Sequence, residues 1–280
     1  MTDTTSAPTG SELPSGSPGT VGPPRIEALS LRKVYDDVVR GPFVALDGVS
    51  FEAHAGEVFG LLGPNGAGKT TALRILTTLL QPTEGTARIN GFDCVTQPEL
   101  VRNQLGFISA STAVYDRMTA WEFVEYFGRL HGLSESVLHE RMESLFDRLG
   151  MNEIRDTLGG KMSTGMKQKT SIARALVHDP PVVIFDEATN GLDAFAARAS
   201  LDAVAELRDQ GKAVIFSTHI MSEVERICDR IAIMHRGQML EVGPPQELAD
   251  RHGEPDLEEL FFRLVTDAEQ RHNNTETCPA

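Results

Sequence analysis

The sequence predicts an α/β fold, and three observations predict it. An apolar run, EVFGLL, enters a glycine-rich loop and leaves it as a helical pattern, the opening of a strand–loop–helix unit. The runs VVIF and AVIF are apolar on both faces, as buried parallel strands covered by helices are. With 280 residues and 40% hydrophobic content the chain can bury a sizeable core.

Of residues 1–24, 18 are Ser, Thr, Pro or Gly. So few apolar side chains cannot offset the entropy of ordering, which predicts a disordered tail. Order begins near Arg25: IEALSLRKVY alternates apolar and polar residues and reads as a strand. A loop with Gly41 and Pro42 leads to a second strand, VALDGVSFEAH. EVFGLL is a third, followed by GPNGAGK and the helical run TTALRILTTLL, stopped by Pro82. From about residue 109 to 167 the character changes. WEFVEYFGRLHGL and ESVLHERMESLFDRLGM carry apolar residues at helical spacing, a helical insert. The α/β alternation then resumes. SIARALVH is a helix, PVVIFDE a strand, AARASLDAVAELRDQG a helix ending in Gly211, and KAVIFSTH a strand. SEVERICDR is a helix and RIAIMHRGQMLEVG a hairpin. DLEELFFRLV gives an amphipathic C-terminal helix within about 246–265, with 266–280 as a flexible tail.

The charge, 26 basic minus 40 acidic residues or −14, argues against a partner held by phosphate-backbone attraction, so no nucleic acid is expected. Cys94, Cys228 and Cys278 lie far apart without a Cys-x-x-Cys pair, which excludes a disulfide scaffold or zinc finger and fits a reducing cytosol. There is no run of about 18 apolar residues and no basic-then-apolar start, so neither a membrane span nor a secretory signal is expected.

Two segments carry chemistry. Gly63-Pro64-Asn65-Gly66-Ala67-Gly68-Lys69-Thr70 fits G-x-x-x-x-G-K-[ST] in full, with Thr71 next. Its glycines let successive N–H groups face phosphate oxygens, and the following helix adds its N-terminal partial charge. Lys69 should reach the β- and γ-phosphates and the Thr70 hydroxyl should bind Mg2+. The second segment, Val182–Glu187, is an apolar strand ending in two acids. A buried Asp186 needs a counter-charge, which a nucleotide-bound Mg2+ supplies. Glu187 then faces the region of the attacking water as general base. Taken singly, the loop could be a glycine turn and the acids a solvated strand end.

With Ser163-Thr164-Gly165-Met166-Lys-Gln-Lys, Gly191-Leu-Asp193 and Ser217-Thr-His219, these segments resemble an ABC transporter ATP-binding subunit from about Ile26 to Val265. VFGLLGPNGAGKTT, VYDRMTAWEFVEYFGRLHGL and GMKQKTSIARALVHDPP are similar to sodium-export (Nat-type) ATPase subunits. The resemblance implies a P-loop NTPase (RecA-like) core with a mixed sheet, an N-terminal antiparallel β part and an α-helical insert. It implies that Tyr35 stacks on adenine. Ser163, Thr164, Gly165 and Met166 form a signature acting on ATP bound to a second copy of the chain. Ser163 is also a simple helix-cap candidate. Asp193 crosses the dimer interface, and His219 senses the γ-phosphate and holds water in line with Glu187. It further implies ATP-driven transport through a separate integral membrane permease, with this chain cytoplasmic and peripheral on the inner face of the membrane.

The sequence departs from the family pattern in places. Met162-Ser-Thr-Gly-Met166 stands for Leu-Ser-Gly-Gly-Gln, and Ala188 and Ala194 replace frequent prolines. Ala110 replaces the glutamine of the loop between core and insert, so Ser109, Ser111 or Thr112 is expected to supply a substitute oxygen. The alternatives to sodium efflux are a drug, lipid or polysaccharide exporter. From other classes, the alternatives are an ABC ATPase acting on nucleic acid or ribosome, or a non-hydrolysing regulatory subunit. A GTPase is disfavoured by the lack of an Asn-Lys-x-Asp segment.

Overall fold

The computed structural model of the chain describes residues 22–37, 41–109 and 113–276. Residues 1–21 of the expected tail lie outside the described residues, as do Ala110, Ser111 and Thr112. β1 (Ile26–Asp37) and β2 (Gly41–Ala53) pair antiparallel. β3 (Val58–Leu62) leads through the glycine loop into α1 (Lys69–Leu76). β4 (Glu84–Ile89), β5 (Phe92–Asp93) and α2 (Pro98–Gln104) follow, then β6 (Leu105–Ser109). The insert holds α3 (Ala120–Leu130) and α4 (Glu135–Arg148), and α5 (Thr164–Leu176) leads back to β7 (Val182–Asp186). α6 (Ala194–Asp209), β8 (Ala213–Thr218), α7 (Met221–Ile227), β9 (Arg230–His235) and β10 (Gln238–Gly243) complete the core, before α8 (Pro245–His252) and α9 (Leu257–Glu276).

Two sheets result. One is antiparallel in the order β2-β1-β4-β5; the other is mixed, in the order β10-β9-β3-β8-β7-β6. In the second, β3, β6, β7, β8 and β9 run parallel and β10 closes the edge antiparallel to β9. Alternation sorts its side chains into two cores. Val183, Phe185, Val214 and Phe216 face α5, α6 and the insert, continuous with Phe123, Val124, Leu138 and Phe146. Val182, Ile184, Ala213 and Ile215 face α1 and the antiparallel sheet, among Leu73, Ile75, Leu46 and Phe59. The insert therefore shares a core with the sheet. A third cluster seats Leu257, Leu260, Phe261 and Leu264 of α9 on Leu62, Ile231 and Ile233.

Two expectations need correction. The helix after the glycine loop does not run to Pro82 but ends at Leu76. Thr77 Oγ1 turns back to Leu73 O (2.9 Å), Thr78 takes a left-handed backbone (φ 63°), and the N–H of Leu79 closes on Arg74 O. That is a helix stop built from local hydrogen bonds. The expected C-terminal helix over 246–265 is two helices, and the second continues to Glu276 into the stretch expected to be a flexible tail. Its first turns seat on the third cluster, and further along Glu269 Oε1 stands 3.8 Å from His235 Nε2 of β9. α5 runs unbroken across the expected end of the insert at about 167. β4, β5, α2 and β6 had no counterpart in the sequence reading. EGTARI has a glycine within it and is held as a strand by β1, and α2 is too short to show a helical period.

At the seam between core and insert, the rings of His131, after α3, and His178, after α5, stack at 3.7 Å. Burial, with the His131 imidazole adding, pushes His178 down to about 4. His178 is therefore neutral in the folded state and must stay so as the unfolded chain protonates near its ordinary value. Stability contributed by the neutral ring is lost as pH falls from about 6.5 toward 4, by up to about 3 kcal/mol. Chemical denaturation of the natural chain and His178→Asn across this window should show the natural chain losing that much more stability; parallel curves would contradict the assignment.

Candidate functional site

The phosphate loop is fixed by three close backbone approaches that no larger residue allows. A Cβ on Gly63 would stand 2.5 Å from Met234 O, and one on Gly68 (φ 104°) 2.7 Å from Ala45 O. Gly237, in the β9–β10 turn, donates its N–H to Ala67 O (2.9 Å) and accepts from Asp47 N (2.8 Å). A Cβ there would strike Ala45 O at 2.7 Å. A turn about 170 residues downstream thus pins the loop, and nothing local to either segment signals it.

Lys69 opens α1 and is buried. Its Nζ donates to Gly63 O (2.5 Å) and Pro64 O (3.2 Å) and lies 3.6 Å from Glu187 Oε1. Burial holds the ammonium below its ordinary pKa, opposed by Glu187 and Asp186. Thr70 Oγ1 donates to Asp186 Oδ1 at 3.4 Å. Burial pushes the Asp186 carboxyl above the usual carboxylate range. That strain marks a place where a cation would be stabilised.

Glu187 follows the end of β7 with a left-handed backbone (φ 49°), unusual for a side chain of its size and worth about 1–3 kcal/mol of strain. Glu187 N donates to Ser217 O (3.0 Å) and Asn190 N to Glu187 O (3.0 Å), which hold the bend. The bend splits two consecutive acids: Asp186 goes to Thr70, and Glu187 to Lys69 and His219. His219 Nδ1 is 3.7 Å from Glu187 Oε1. The strand end carrying His219 is braced by Thr218 Oγ1, which donates to the buried Glu223 Oε2 (2.7 Å). Glu223 was not anticipated; its position in the first turn of α7, five residues past Thr218, was the available signal.

One cavity of about 280 Å³ collects Tyr35, Phe43, Ala45, the stretch Pro64–Thr71 and Glu187. Ser163, Gly165, Met166 and Asp193 are not part of it. They line a second cavity of about 600 Å³ between α5 and α6. Ser163 caps α5: its Oγ accepts from Met166 N (3.2 Å), and Met166 Sδ accepts weakly from Ser163 N (3.4 Å). Thr164 is the first residue of that helix, so its restriction to negative φ costs nothing there. Asp193 caps α6 by accepting from Phe195 N and Ala196 N, both at 2.9 Å. Gln168, for which the sequence suggested no role, is buried and donates to Ala188 O (2.9 Å), tying α5 to the residue after Glu187. Ser109 ends β6 in register with Asp186. The other two candidates for the substitute oxygen, Ser111 and Thr112, lie outside the described residues.

Comparison with known proteins agrees with this geometry. Residues 46–190 match the ABC transporter family. The chain is 41% identical to the ABC transporter ATP-binding protein NatA of Bacillus subtilis over 219 residues, 78% of this chain and 89% of that one. It is 38% identical over 224 residues to the doxorubicin resistance ATP-binding protein DrrA of Mycobacterium tuberculosis, covering 80% of this chain and 67% of that one. Among solved structures, an ATP-binding subunit of an ABC transporter superposes with a TM-score of 0.77 at 31% identity, covering 85% of this chain and 98% of that chain.

Gly237→Ala tests the loop's remote support. Forcing a Cβ against Ala45 O should lower stability by about 1–3 kcal/mol. Triphosphate binding should weaken with it, although Gly237 belongs to no phosphate-contacting segment. Calorimetric titration with ATP beside a thermal melt measures both; unchanged values in each would contradict the brace.

Proposed function

The chain belongs to the ABC transporter family as an ATP-binding, ATP-hydrolysing subunit, and on that premise we propose how its residues do the work. The observation that carries the proposal is the fan of Lys69, Asp186, Glu187 and His219 around the phosphate loop. ATP lies with its phosphates on the N–H groups of Gly66–Thr71 and its base against Tyr35. Lys69, freed from the loop carbonyls, pairs with β- and γ-phosphate oxygens. Thr70 and Asp186 fit Mg2+. Among the described residues no three His, Cys, Asp or Glu form a metal cluster. Mg2+ is ordinarily held by one or two carboxylates with substrate phosphates and water, the donor set that this pair offers. When bound, it neutralises charge on the phosphates. Glu187 accepts the proton of the attacking water, and His219 holds that water in line.

The separation of the two cavities supports a head-to-tail pair of copies. Ser163 and Asp193 line a different cavity from Lys69 in one chain, so the signature serves the nucleotide of the second copy. Phe195, beside Asp193, is 89% exposed, an aromatic ring suited to burial in that interface. ATP favours the closed pair by binding it better than the open one, and loss of the γ-phosphate reverses the preference.

Transport requires a membrane partner. No helix among the described residues is long and apolar enough to cross a membrane. The permease docks between core and insert, where a groove of about 210 Å³ combines Leu79, Phe107 and Phe127 with Arg102, Arg174 and His131 and has no acidic lining residue. Such a groove suits an apolar segment bearing a carboxylate. For cargo we favour sodium efflux, on likeness of wording to the Nat-type subunits, with drug export as the second reading, favoured by similarity to the doxorubicin resistance protein DrrA. Sodium efflux from vesicles holding this chain and its permease separates the two.

Glu187→Gln should keep ATP affinity within about threefold while turnover falls about 10²–10⁴-fold. Turnover at the natural rate would exclude Glu187 as the base. With saturating ATP and the permease present, the same variant should accumulate as a closed pair of copies. Adding Ser163→Arg should return it to separate copies; sedimentation that shows no pair in either case would refute the shared site.

A further inference from the structure

Tyr35 does not stand alone on its strand. The β1–β2 register places Phe43 directly opposite it, with Val34 opposite Val44 and Asp36 opposite Pro42. Residues directly opposed in an antiparallel pair project from the same face, with Cβ atoms about 4.5–5.5 Å apart. Both rings line the cavity that also holds Pro64–Thr71. Phe43 is 59% exposed and Tyr35 37%. Two neighbouring aromatic residues are thus left open at the mouth of a phosphate loop, where core packing would have covered them. Lys33 Nζ stands over the Tyr35 ring, 5.3 Å from its centroid, so one face of that ring already has a cation on it. The other polar side chains of the cavity, on Asn65, Lys69, Thr70, Thr71 and Glu187, belong to the phosphate loop, α1 or the bend after β7.

We propose that Phe43 is a second base-contacting residue, so that a nucleoside triphosphate rests its base on the pair Tyr35–Phe43. This rests on the reading of the cavity as the ATP site. An aromatic ring meets the π-face of any base and reads no hydrogen-bonding edge. Phe43 therefore adds affinity for the nucleoside part without separating adenine from guanine.

The test uses the full chain carrying Glu187→Gln, titrated calorimetrically with ATP, GTP and inorganic tripolyphosphate, a probe with the charges and no base. Phe43→Ala should raise the dissociation constants of ATP and GTP by a common factor of about five to a hundred. Tripolyphosphate affinity should stay within twofold, and Phe43→Trp should restore nucleotide binding. Phe43→Ala that binds ATP as its parent does, while Tyr35→Ala does not, overturns the proposal and leaves the ATP site standing. An equal loss for tripolyphosphate also overturns it, since the hairpin rather than the base contact would then be at fault. Lys69→Ala with all three affinities intact would bring down the ATP-site reading itself, and the proposal with it.

Discussion

A row of backbone N–H groups can bind phosphate only if the loop that carries them is held open and still. Here that is achieved by backbone pressed on backbone: Gly63 against Met234, Gly68 against Ala45, and Gly237 hydrogen-bonded to Ala67. None of these three glycines has room for a Cβ. The loop is therefore clamped by β9, by the turn after it and by β2, all distant in the chain. The antiparallel sheet and the edge hairpin are structural requirements of the site as much as parts of the core.

A second constraint is charge. Lys69 and Asp186 are buried and Glu187 is half-buried, in a site that must bind more negative charge still. Burial alone pushes Lys69 down and Asp186 up, each toward its neutral form. Their mutual proximity opposes this, and the strained bend at Glu187 divides the acids so that they do not share one place. In the proposed mechanism a triphosphate with a divalent cation would replace these internal pairings by stronger ones. Binding energy of that kind can move a protein between conformations, because it is released only where both groups arrive together.

Gln168 links the two halves of the machinery. Its amide bonds Ala188 O, directly after Glu187, while its helix begins at Ser163. The bend at Glu187 is thereby joined to α5, which shares a core with α3 and α4. The groove at the seam of core and insert, where the permease is proposed to dock, lies on that same body.

The motifs were legible because their residues are consecutive: G-x-x-x-x-G-K-[ST] carries its glycines, lysine and hydroxyl in one run, and an apolar run ending in two acids marks its own strand end. The α/β alternation was legible for the same reason, since the periods of strands and helices are written in consecutive residues. The end of α1 at Leu76, the helicity of residues 266–276 and the strand at EGTARI were not. The strand depends on the edge of β1 and the last turns of α9 on the pairing of Glu269 with His235 of β9, whereas α1 ends on local hydrogen bonds of Thr77 that a helical pattern does not show. Gly237 escaped notice because its partner Ala67 is far along the chain, and Phe43, Gln168 and Glu223 because their partners Tyr35, Ala188 and Thr218 meet them only through a hairpin, a helix-to-strand packing and a turn. Sequence by itself determined the α/β fold class and named the groups proposed to bind a triphosphate and cleave it. Only the tertiary structure decided that the signature lines a different cavity from the phosphate loop, because the distance between two motifs is set by how helices pack on a sheet and not by their spacing along the chain.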